Sequence, residues 1–179
     1  MALGPLVAAV AAVLCPGQVA FVDLSAGEVV RRVAIPVDGA ALFAAPDGRV
    51  VVPARDADAT VVVAPAGRVE RWKGRLFPLF FDQPDRLHTV LPGALATLSY
   101  PERLPLARIE LPGVDGARRA ATSSDGRLVA IVPAPPPAAS LVLVAALEGS
   151  GGRALALGGD AVRLAVAPDG GFAIVATAA

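Results

Sequence analysis

Only one lysine, one cysteine, one histidine, one tryptophan and one tyrosine occur among the 179 residues, and aromatic residues make up 4% of the chain. The single cysteine, Cys15, excludes an intrachain disulfide framework and any multi-cysteine metal site, and leaves the redox compartment open. The single histidine, His88, excludes multi-histidine metal sites within one chain, and a Ser-His-Asp arrangement would need His88 to act with a distant serine. Net charge is lacking too. Sixteen basic residues cancel sixteen acidic ones, so no global field draws in nucleic acid or an anionic membrane, and nucleic acid is not an expected partner. There is no phosphate-binding glycine loop and no haem motif. The basic residues are arginines apart from Lys73, which either GC-rich coding or bidentate pairing at interfaces explains.

What the chain does have is apolar residues, 55% of the total. With so few rings, its core must be filled by Val, Ala and Leu, and valine in short runs favours strands. Those runs repeat. An apolar segment, a turn centred on an aspartate and a second apolar segment recur in Ala40 to Ala54, Leu76 to Leu91, Ala120 to Pro133 and Arg163 to Ala176. Asp47, Asp85, Asp125 and Asp169 are spaced by 38, 40 and 44 residues, a period typical of radially repeated antiparallel sheets.

Each repeat reads as four strands. The clearest predicts strands at Gly39 to Ala45, Arg49 to Ala54, Thr60 to Ala64 and Arg68 to Lys73, joined by turns rich in Gly and Asp. The next places strands at Leu76 to Phe81, Arg86 to Leu91, Ala94 to Ser99 and Leu104 to Leu111. The third places them at Ala117 to Thr122, Arg127 to Val132, Ser140 to Ala145 and Arg153 to Leu157, with the proline stretch from Pro133 to Pro137 in a loop. The C-terminus offers only a first and a second strand, Ala161 to Ala167 and Phe172 to Ala176.

Leu6 to Cys15 is a run of ten uncharged residues, the length of a signal-peptide core. It lacks a basic flank, since the first basic residue is Arg31, and Leu14 stands where a lipobox has a small residue. In the register of the repeat, Leu6 to Val13 is instead a second strand, followed by Gln18 to Leu24 and Glu28 to Ile35. The N-terminus then reads as a repeat missing its first strand. Without a convincing export signal, a cytoplasmic location is favoured over a periplasmic one.

Val19 to Ala54 resembles a YVTN-type β-propeller repeat, in which a strand ends in an acidic residue and is followed by a glycine turn, a second strand, a PDG turn and an apolar strand. Asp23, Gly27, Pro46, Asp47 and Gly48 stand at the matching places. Ser124, Asp125 and Gly126 match more weakly, as do Pro168, Asp169 and Gly170, while Pro84, Asp85 and Arg86 lack the glycine. The resemblance implies a fold and transfers no activity. The expected architecture is all-β: a small β-propeller-like array of about four four-stranded blades, closed by N- and C-terminal strands or left as an open arc. It reads as a single domain over 1–179, with blade units at 1–36 plus 160–179, 37–75, 76–114 and 115–159.

Candidate site residues are few. Arg68, Arg71, Lys73 and Arg75 surround Trp72, and Arg and Trp are enriched at interface hot spots. Strand alternation puts Arg71 and Lys73 on one face and Trp72 on the other. Arg71, Trp72, Lys73 and Arg75 are therefore the candidate protein contact, with a solvated outer strand around a core Trp72 as the plainer reading. The four turn aspartates would either hold a hard cation at a common rim or cap their own turns, and capping accounts for all of them. Leu76 to Phe81 holds three of the six phenylalanines, and burial between blades is favoured over an adhesive patch. No catalytic, cofactor-binding or metal-binding residue stands out. The expected role is a non-enzymatic structural or protein-interaction module, an accessory or scaffold subunit of a larger bacterial assembly that meets other subunits or a second copy of itself. The alternative is a binding or hydrolytic propeller using carboxylates at an axial funnel.

Overall fold

The computed structural model describes residues 10–133, 140–145 and 152–178. The chain divides into two compact units, Met1–Arg75 and Leu76–Ala179. Every regular element among the described residues is a strand, and every pairing is between chain neighbours and antiparallel. Such meanders are the blades of a propeller-like fold.

In the first unit, β1 (Val10–Cys15), β2 (Gln18–Asp23) and β3 (Glu28–Ala34) form a three-stranded sheet. A four-stranded sheet follows: β4 (Phe43–Ala44), β5 (Val50–Pro53), β6 (Ala59–Val63) and β7 (Val69–Lys73). Val19, Phe21, Val33 and Ile35 pack against Val50, Val52, Val61 and Val63, so small β-branched side chains do build this core. The strand expected over Gly39 to Ala45 is cut down to β4 and an isolated bridge between Gly39 and Ala54. A Cβ on Gly39 would lie 2.7 Å from Val52 and 2.9 Å from Leu14, so the backbone here is pressed onto the core.

The second unit holds a four-stranded sheet of β8 (Phe77–Gln83), β9 (Arg86–Leu91), β10 (Ala94–Ser99) and β11 (Pro105–Glu110). Another contains β12 (Ala117–Thr122), β13 (Leu128–Pro133), β14 (Ser140–Ala145) and β15 (Gly152–Ala156), and β16 (Ala161–Val166) pairs with β17 (Ala173–Thr177) alone. Ala130, Val132 and Leu141 of the β12–β15 sheet meet Leu164, Val166, Ala173 and Val175 of the β16–β17 sheet. Beyond Pro133, the expected proline loop lies outside the described residues, as does the start of the Leu6 to Cys15 run.

The aspartate-glycine turns share one geometry. Gly48, Gly126 and Gly170 have φ of 80°, 71° and 71°, and their N–H groups donate to the carbonyls of Ala45, Ser123 and Ala167. That left-handed conformation is why glycine recurs there. Where the glycine is replaced by Arg86, the sheet uses a different turn: β8 runs to Gln83, β9 starts at Arg86, and only Pro84 and Asp85 join them.

Candidate functional site

Strand β7 carries the segment singled out by its charge. Trp72 is 6% exposed and stands opposite Thr60, whereas Arg71 and Lys73 are exposed and pair with Val61 and Ala59. Alternation thus separates the indole from the two cations. Arg75 is exposed just beyond the strand, and its place is set by the main chain: its N–H donates to Asp58 Oδ1 at 2.9 Å, while the Thr60 hydroxyl donates to the Gly74 carbonyl at 3.0 Å. Glu70, on the Trp72 face, meets Arg68 at 3.3 Å and Arg49 at 3.9 Å. Arg71 and Lys73 on β7, and Arg75 just beyond it, are exposed to solvent.

Three of the four repeated aspartates cap their own turns. Asp47, Asp125 and Asp169 each accept, through Oδ1, the N–H of the residue two positions on, at 3.0 Å in every case. At Asp85 the carbonyl accepts the Tyr100 N–H at 2.7 Å, in keeping with its different turn. Asp23 caps the turn after β2 by accepting the N–H groups of Ser25 and Ala26.

His88 lies within β9 and is 4% exposed. Its Nδ1 is 3.0 Å from the hydroxyl of Thr97, its cross-strand partner, and its ring stacks on Phe80 at 4.2 Å and 8°. Phe81 meets Tyr100 edge-on at 5.0 Å, and Phe77 is buried. The half-buried Phe80 and Phe81 thus rest on rings of their own sheet.

One structural turn residue escaped sequence reasoning. Ser123 is 1% exposed; its hydroxyl donates to Asp125 Oδ1 at 2.7 Å and accepts the Leu128 N–H at 3.0 Å. The signal was a serine at the place taken by alanine in the other turns, Ala45 and Ala167. The Ser123 hydroxyl, followed by the Arg127 N–H, lowers the Asp125 carboxyl below its ordinary pKa. The Ser25 hydroxyl and Ala26 N–H lower that of Asp23 in the same way. Glu110 is lowered by its hydrogen bond from Arg108, at 2.6 Å.

No protein-family model matches the chain, and no curated protein matches it in sequence. Its structure is similar to that of Kuenenia stuttgartiensis hydrazine synthase, with a TM-score of 0.69 at 20% identity, over 89% of this chain and 49% of that one. The likeness shows the fold. This chain spans about half the length of that protein.

Among the described residues, no three His, Cys, Asp or Glu side chains form a group able to hold a metal ion. No helix among them is long and apolar enough to cross a membrane.

Proposed function

We propose that this chain is a non-enzymatic interaction module, an accessory or scaffold subunit of a larger bacterial assembly, built from YVTN-type repeats. The observation that carries the reading is the outer strand β7. Trp72 is buried and Arg71 and Lys73 are exposed on the opposite face, with Arg75 held just beyond. A rigid strand presents these cations at fixed spacing, which suits a partner protein with an acidic surface. The turn aspartates support the same reading, because the carboxylates of Asp47, Asp125 and Asp169 each accept a main-chain N–H of their own turn.

The test is capture from native cell extract with the full chain and its Arg71→Glu/Lys73→Glu variant. The expected result is a defined acidic partner held by the parent chain and lost from the variant, with unchanged thermal unfolding. Equal capture by both proteins, or no partner for either, would overturn the assignment.

A further inference from the structure

The two sheets of the first unit close over their inner strands and part at their outer ones. Val61 on β6 and Phe21 on β2 are 0% and 3% exposed and belong to the shared core. Their cross-strand partners are Arg71 on β7 and Arg31 on β3, both exposed. Such partners share a face of their sheet, so Arg71 is on the face turned to β1–β3 and Arg31 on the face turned to β4–β7. Val69 and Lys73 stand on the same face of β7 as Arg71, opposite Val63 and Ala59. A groove therefore runs between β3 and β7, with Arg31 on one wall and Val69, Arg71 and Lys73 on the other.

Arg31 reaches across this groove. Its Nη1 donates to the Ala66 carbonyl at 3.3 Å, in the turn that leads into β7, and a Cβ on Gly67 would lie 3.2 Å from the same nitrogen. Elsewhere in the β4–β7 sheet cations are matched by carboxylates, Arg49 by Asp47 at 2.6 Å and Arg68 by Glu70 at 3.3 Å. Among the described residues no ion pair joins a carboxylate to Arg31, Arg71 or Lys73. On the Arg31 face of the β1–β3 sheet, Asp23 and its cross-strand partner Glu28 stand at one end, where Ser25 and Ala26 already engage Asp23.

We propose that this groove takes an extended acidic segment of a partner protein, with carboxylates at alternate residues. Charge complementarity and spacing argue for that occupant. Arg71 and Lys73 are two strand residues apart, about 6.6 Å, and an extended chain presents its alternate side chains at the same interval. Two acidic residues separated by one other therefore meet both cations in register, while Arg31 approaches from the facing wall. Val69, 36% exposed, continues the row, so the matching segment carries an apolar residue two positions beyond the acidic pair. The inference rests on the interaction-module reading; it names the chemistry of the partner at β7 and adds Arg31 to its site.

Fluorescence anisotropy of labelled synthetic peptides, titrated with the full chain, tests it. The probe is one valine followed by glutamates at alternate positions among serines, and its control has the same composition with the glutamates in one block. The alternating peptide should bind more tightly than the block peptide, and more weakly as ionic strength rises. Arg31→Ala and Arg71→Ala should each weaken it roughly two- to fivefold, and Arg31→Lys should keep most of the affinity. Arg127→Ala, outside the first unit, should bind as the parent does. No binding, equal binding of the block peptide or of a single-stranded oligonucleotide, or an Arg31→Ala chain that binds like the parent overturns the proposal. Because Arg31 lies off β7, an Arg31→Ala chain that still captures an acidic partner from extract leaves the β7 reading standing and overturns the groove alone.

Discussion

Gly126 answers two demands at once. Its φ of 71° is one that side chains rarely adopt, and a Cβ there would lie 2.6 Å from Phe80, the ring that stacks on His88. Gly126→Ala should therefore cost the left-handed backbone penalty and the displacement of the Phe80 ring from its stack on His88, about 2–4 kcal/mol together. Gly113 supplies the contrast. With φ of 78° and nothing near a Cβ, Gly113→Ala should cost only about 1–2 kcal/mol. Urea unfolding of the two variants measures the difference, and equal midpoints would remove Phe80 from the account.

Among elements, β7 shows how a strand divides structural work from exposed work. Trp72→Ala should destabilise by about 3–5 kcal/mol, the usual cost of truncating a buried ring. Arg71→Ala and Lys73→Ala should stay within about 0.5 kcal/mol of the parent. Chemical denaturation checks both expectations, and a destabilised Lys73→Ala would mean that the cation packs rather than faces a partner. This division was legible in the sequence because a period of two separates Trp72 from its neighbours whatever lies around them. The turn chemistry was legible for the same local reason, since aspartate and a left-handed glycine act within their own few residues. Short β4 was not legible, because it depends on how closely Gly39 meets Val52 and Leu14, a contact between distant parts of the chain. Nor was the exposure of Phe172 and Ile174 legible, because it depends on what packs around the β16–β17 sheet.

For the molecule as a whole, balanced charge makes self-repulsion small near neutral pH, so the pH dependence of stability falls to carboxylates with native partners. Asp23, Asp125 and Glu110 all have folded pKa values below their ordinary ones, through Ser25, Ser123 and Arg108. A lowered folded pKa means that the unfolded chain binds protons first as the solution is acidified. The stabilisation is complete above the unfolded values, about 3.9 for Asp and 4.3 for Glu, and is lost as the pH falls through the folded ones. The urea midpoint should stay level from about pH 8 to 5 and drop steadily below about pH 4. These groups are solvent-facing, so each effect is small and sensitive to salt. Ser123→Ala removes the main cause of the Asp125 shift, and it should shallow the acid limb while lowering the midpoint at pH 7. An acid limb of unchanged slope in that variant would place the proton-linked stability elsewhere than the Ser123–Asp125 turn.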